Sequence, residues 1–119
     1  MPKILIVEDE PSIAGIAAHK LRREGHEVRC EERADASGVA AWAPALVILD
    51  LDCDGGRGML EELAPRWPVL ALTGFGDEEA PALATGAGAA ATLGKPFKPT
   101  VLARVVNRMT APVEAQADG

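Results

Sequence analysis

Three short runs, KILIV at 3–7, ALVIL at 45–49 and PVLAL at 68–72, are apolar at almost every position. A strand with one wet face alternates apolar and polar residues; these runs do not, so both of their faces must be covered. Each large aliphatic side chain in them contributes roughly 1.5–3 kcal/mol on burial, which disfavours leaving either face in water. Helices are the cover the chain offers. Apolar runs and helical patterns alternate along it, the signature of βα units built on a parallel sheet.

The first helix opens at Pro11, whose missing N–H costs nothing in a first turn. Ile13, Ile16, Ala17 and Leu21 form its expected apolar stripe, and Gly25 its expected stop. EVRCE at 27–31 alternates and reads as an edge strand. Residues 35–43 read as a short Ala-rich helix ended by Pro44, residues 58–63 as the start of a second short one, and 78–86 as a weak one with Pro81 near its start. AATL at 90–93 is the fifth strand, and 99–109 the last helix, with Val101, Leu102, Val105, Val106 and Met109 facing inward. Five strands and five helices make one α/β domain over 1–110; the polar stretch 111–119 reads as a flexible C-terminal tail.

A chain of 119 residues can bury a core of its own, and 48% apolar content excludes disorder. The apolar runs are too short to span a membrane, and MPKILIVEDE has no cleavable-signal pattern, so the cytoplasm is the expected compartment. A net charge of −6 argues against direct DNA binding, because phosphate backbones attract Lys and Arg fields. The richest basic stretch, 20–26, falls at a helix end, where cations suit the helix dipole. Cys30 and Cys53 lack metal-ligand spacing and read as reduced thiols. His19 and His26 read as helix-surface residues, and Trp42 and Trp67 as caps on the core.

In open parallel sheets, ligands bind outside the carboxyl ends of the strands. The chemistry-bearing residues fall there. Glu8, Asp9 and Glu10 follow the first strand, Asp50, Asp52 and Asp54 the third, Thr73 the fourth and Lys95 the fifth. Carboxylates from two strands suit Mg²⁺, which prefers oxygen ligands. One carboxylate can attack phosphorus and become an aspartyl phosphate. A hydroxyl and an ammonium can then bind the phosphoryl oxygens.

This constellation resembles the receiver domain of two-component response regulators over residues 3 to about 109. The resemblance implies a flavodoxin-like fold: a doubly wound five-stranded parallel sheet, strand order 2-1-3-4-5, with helices on both faces. It implies a phosphoacceptor rather than an enzyme, with Asp50 as acceptor and Thr73 and Lys95 at the phosphoryl group. Asp9 and Asp50 would ligate Mg²⁺ directly, Glu8 through water, and Asp52 through its backbone carbonyl. Lys95-Pro96-Phe97 matches the family's lysine and the proline, typically cis, that follows it. The implied partner is a sensor histidine kinase or a histidine phosphotransfer protein, with output through protein contact; homodimerisation is left open. Two features depart from the family. Asp50 and Thr73 are only 23 positions apart, and Thr92 stands where an aromatic usually rotates inward on activation. Asp52's side chain and Asp54 read as solvated loop acids.

LDLDCDGG is also similar to the first motif of haloacid-dehalogenase-type phosphatases, with Asp50 as nucleophile. Those enzymes place another acidic pair after the lysine; here only Glu114 and Asp118 follow it, well separated. A receiver-like interaction module that is never phosphorylated is the third reading, favoured by Thr92 and opposed by the intact site. GAGAAATLGKP at 86–96 fails as a phosphate loop, since Pro96 stands where a Ser or Thr must bind Mg²⁺.

Overall fold

A computed structural model describes residues 1–111. The expected flexible tail therefore lies, from 112 onward, outside the described residues. Five strands alternate with five helices: β1 (Lys3–Val7), α1 (Pro11–Arg23), β2 (Glu27–Glu31), α2 (Ala36–Trp42), β3 (Leu46–Asp50), α3 (Gly56–Leu63), β4 (Val69–Thr73), α4 (Ala80–Gly86), β5 (Ala91–Gly94) and α5 (Pro99–Thr110). All pairings are parallel and the strand order is β2-β1-β3-β4-β5, as the resemblance implies. Among the described residues, no helix is long and apolar enough to cross a membrane.

Alternate side chains of the central strands divide between two cores. Ile4, Ile6, Leu46, Ile48, Leu70 and Leu72 pack beneath α1 and α5 against Leu21, Leu102 and Val106. Leu5, Val7, Val47, Leu49, Val69 and Ala71 pack on the other face against Val39, Met59, Leu60 and Leu63. Every residue of β3 and β4 is buried, which explains their unbroken apolar sequence. Trp42 and Trp67 border the second core, as expected of caps.

Three strands run one residue further than the sequence pattern suggests. β3, β4 and β5 each begin and end one position later, so Asp50 and Thr73 are the last residues of their strands. Hydropathy ends a strand at its last apolar residue, whereas the ladder continues: Asp50 pairs with Leu72 and Thr73 with Gly94. α3 likewise starts two residues earlier, at Gly56.

Two expectations fail on α1 and its exit. Ile16 is 54% exposed, because the buried stripe runs through Ala14, Ala17, Ala18 and Leu21, and position 16 falls nearly opposite it. His26 is buried, not a helix-surface residue. The chain leaves α1 through Gly25 (φ 95°), and the His26 N–H donates to the Leu21 carbonyl, which turns the ring inward against α5. There its Nε2 lies 2.6 Å from Asn107 Oδ1, and Asn107 Nδ2 donates to Glu24. Because Nδ2 points at a carboxylate, Oδ1 is the acceptor and His26 carries its proton on Nε2.

Asn107→Leu would leave that buried N–H without its acceptor. The expected loss is about 1–3 kcal/mol, read from urea denaturation. Leu at both 26 and 107 should cost less than the two single changes added together.

Candidate functional site

The carboxyl ends of β1, β3, β4 and β5 share one edge of the sheet, and the sequence-predicted acids, hydroxyl and amine collect there. Asp50 terminates β3 and is only 2% exposed. Its Oδ1 accepts from Lys95 Nζ at 2.9 Å and from the Asp52 backbone N–H at 3.0 Å. Lys95 follows β5 directly, its own N–H donating to the Thr73 carbonyl at 2.8 Å and its peptide to Pro96 cis. β4 lies between β3 and β5, so the lysine side chain reaches across the end of β4 to Asp50. Thr73, at that end, is buried. Gly94 stands beside its hydroxyl: a Cβ there would lie 3.9 Å from Thr73 Oγ1, in ordinary van der Waals contact.

Glu8 and Asp9 complete the edge. Carboxylate oxygens of Glu8, Asp9 and Asp50 lie within 4.8 Å of one another, an all-oxygen donor set of the kind Mg²⁺ takes. Glu8 is 4% exposed, and its Oε1 accepts the Glu10 N–H at 3.1 Å. Oε2 is buried with no hydrogen-bond partner among the described residues. An orphaned buried carboxylate oxygen needs a proton or a cation. Burial first, then the Asp50 carboxyl beside it, raises the Glu8 pKa to about 7, against the opposing Glu10 N–H and Lys95 charge. The residues present therefore fit a divalent cation.

For Lys95, burial disfavours the charge, but the hydrogen bond to Asp50 and the pull of Asp50, Glu8 and Asp52 outweigh it and raise its pKa. The amine is a committed cation. Cys53, buried beside the acids, is pushed up to about 11 by burial and by the charges of Asp50, Asp9 and Glu8, which makes it a thiol and not a nucleophile.

Two features lay beyond the sequence. Asp54 is a loop acid as expected, its Oδ2 3.2 Å from the exposed Arg33. Asp52 is not simply solvated: although 56% exposed, its Oδ2 lies 3.5 Å from Lys95 Nζ. The close loop also depends on Gly56, where a Cβ would stand 2.8 Å from the Asp50 and Leu51 carbonyl oxygens. A Gly-Gly pair in a loop signals tight packing, but nothing in the sequence says against which carbonyls.

The family model for the response regulator receiver domain matches residues 4–107. The nitrogen assimilation regulatory protein NtrX of Azorhizobium caulinodans is 33% identical over 114 residues, covering 88% of this chain and 25% of that protein. Among solved structures, the receiver domain of NtrX from Brucella abortus is similar at a TM-score of 0.79 and 35% identity, covering 90% of this chain and 97% of that one. The BeF3-activated N-terminal receiver domain of Klebsiella pneumoniae RstA is similar at a TM-score of 0.82 and 27% identity, covering 92% and 99%. The chain spans between 24% and 51% of the length of the curated relatives it matches.

The raised Glu8 pKa sets a pH dependence. The folded state holds the Glu8 proton more tightly than the unfolded chain, so this stability is full below about pH 4.5 and is lost as pH rises through about 7. Metal-free protein should lose roughly 1–3 kcal/mol across that window, and Glu8→Gln should flatten the dependence. Thermal unfolding in chelator from pH 5 to pH 8 reads it; Mg²⁺ should restore stability most at the alkaline end.

Proposed function

The chain belongs to the response regulator receiver domain family, and on that premise we propose that it accepts a phosphoryl group on Asp50 from a sensor histidine kinase or a histidine phosphotransfer protein. The observation that carries this is the Asp50 carboxylate itself: buried at the end of the central strand, 2.9 Å from the Lys95 ammonium and within reach of the Glu8 and Asp9 oxygens. A carboxylate oxygen attacks phosphorus, a P–O bond forms, and the P–N bond to the donor imidazole breaks with its electron pair left on nitrogen. No proton leaves Asp50. Lys95 and the Thr73 hydroxyl bind the phosphoryl oxygens as negative charge arrives at them.

Mg²⁺ held by Asp9, Asp50, the Asp52 backbone carbonyl and, through water, Glu8 would neutralise charge on the transferring group. Glu8 supports this assignment by its orphaned oxygen, which binding of a cation or its water would satisfy. The protein's part is then binding and transfer, without turnover of a substrate, and its output is contact with another protein. Cys30 and Cys53 are free thiols, which accords with a reducing cytoplasm. Direct DNA binding is not assigned to this domain; the named regulators it resembles extend well beyond it. The phosphatase alternative is not favoured: among the described residues, the acids that gather with Asp50 come from the β1 end, and Glu114 and Asp118 lie outside those residues.

Acetyl phosphate with Mg²⁺ should label the wild-type protein, and neither Asp50→Asn nor chelated wild type should take up phosphate. Intact-mass spectra decide; equal labelling of Asp50→Asn would remove the assignment.

Activation should register in a particular place. Thr92 is half-buried in the middle of β5, and its one methyl contributes little apolar area to drive an inward rotation. α4 has seven residues with Pro81 in its first turn, and Gly88 at φ 109° follows it, so rearrangement there is cheap. Beryllium fluoride with Mg²⁺ should therefore move the backbone amides of 74–88 most and that of Thr92 little, and Thr92→Ala should leave the pattern intact.

A further inference from the structure

We propose that the Asp52 carboxylate is a positioning residue that, while held by Lys95, fills the space beside the first residue of the β4–α4 loop, a steric tie that is released when Lys95 is drawn onto a phosphoryl group. The inference rests on Asp50 as phosphoacceptor. One contact of this side chain and the space it fills carry it. Asp52 Oδ2 lies 3.5 Å from Lys95 Nζ, which is also 2.9 Å from Asp50 Oδ1, so one ammonium is shared between two carboxylates. The same Asp52 carboxylate occupies the space a side chain at position 74 would need: a Cβ on Gly74 would stand 2.8 Å from Oδ2 and 3.2 Å from Oδ1. Gly74 is not among the glycines of positive φ, so its backbone conformation does not demand glycine. The carboxylate fills the place a side chain would take.

Asp52 is well placed to move. Its backbone is fixed by the N–H donated to Asp50 Oδ1, but its side chain is half in water. Solvent-exposed pairs are weakly held, and this one lasts only while Lys95 has charge to spare. Phosphorylation turns the singly negative Asp50 carboxylate into an acyl phosphate of charge about −2, and sets strong acceptor oxygens before Lys95. Lys95 turns to them, and Asp52 then faces the new anion without its cation. Repulsion drives its carboxylate out into water, away from Gly74. The loop it leaves is built to respond: Phe75 is 87% exposed and Gly76 sits at φ 80°. Where an aromatic at position 92 would transmit the event through the core, Asp52 transmits it along the surface.

Gly74→Ala and Asp52→Asn should break the same tie from opposite sides. The new methyl meets only the far end of a flexible, exposed side chain, so Gly74→Ala should fold and simply displace the carboxylate from Lys95. In both variants, resting and Mg²⁺-loaded, the amides of 74–77 should lie shifted toward their positions in wild-type protein activated with beryllium fluoride, and the double variant should match either single one. Added beryllium fluoride should then move those amides much less than in wild type. Variants whose 74–77 amides stay at the resting wild-type positions overturn the proposal, as does a double variant whose shifts are the sum of the two. The resting comparison involves no phosphoryl group, so it decides the tie even if wild type fails to take up phosphate, a failure that would count against Asp50 as acceptor.

Discussion

A carboxylate with 2% of its surface exposed, at the end of a strand buried on both faces, survives only with a cation against it. Breaking such a pair from one side costs about 3–5 kcal/mol, because the charge left behind is neither solvated nor compensated. The Asp50–Lys95 contact is therefore the constraint around which the site is arranged. It joins residues 45 positions apart and two strands that are not neighbours. The lysine must cross the end of β4, which places Thr73 between the two charges and requires the strands to end level. The registers Asp50 with Leu72 and Thr73 with Gly94 supply that alignment.

Once Asp50 and Lys95 are paired, the surplus charge at this edge is anionic. Glu8, Asp9 and Asp52 stand around a pair that is already neutral. Exposure relieves Asp9 and Asp52, but Glu8 is buried and answers by holding a proton to about pH 7. The same oxygen can thus be satisfied by a proton or by a cation and its water, so metal binding and proton release are linked there. Cys53 senses the same field in the same direction, its thiolate disfavoured by burial and by three nearby acids.

Much of this was legible in the sequence because burial on both faces leaves a one-dimensional trace. Unbroken apolar runs located β1, β3 and β4, and the polar residues at their carboxyl ends then pointed to the edge. The last residue of a strand is harder: Asp50 and Thr73 are polar and look like loop, although the ladder extends through both. Ile16 and His26 were misread for one reason. Residue character says how favourable burial would be, but the direction of a side chain depends on helix phase and on the Gly25 turn. Asp52 is the instructive miss. Its spacing from Asp50 suggested a solvated acid, and its contact with Lys95 and its place beside Gly74 exist because three separate loops meet.

Those meetings also limit how a change at Asp50 can leave the site. β4 is paired on both edges, and the Leu51 and Lys95 N–H groups extend that pairing by donating to the Leu72 and Thr73 carbonyls. A strand fixed on two sides cannot slide without breaking both ladders, and Thr92 has no bulk to fill a space if Thr73 turns. The backbone beyond Thr73 has neither restraint. It begins at a glycine beside one half-exposed carboxylate and leads into a seven-residue helix with a proline in its first turn. The stiffness of the central sheet, which keeps Asp50 and Lys95 in contact, thus leaves the loop after β4 as the less restrained route out of the site.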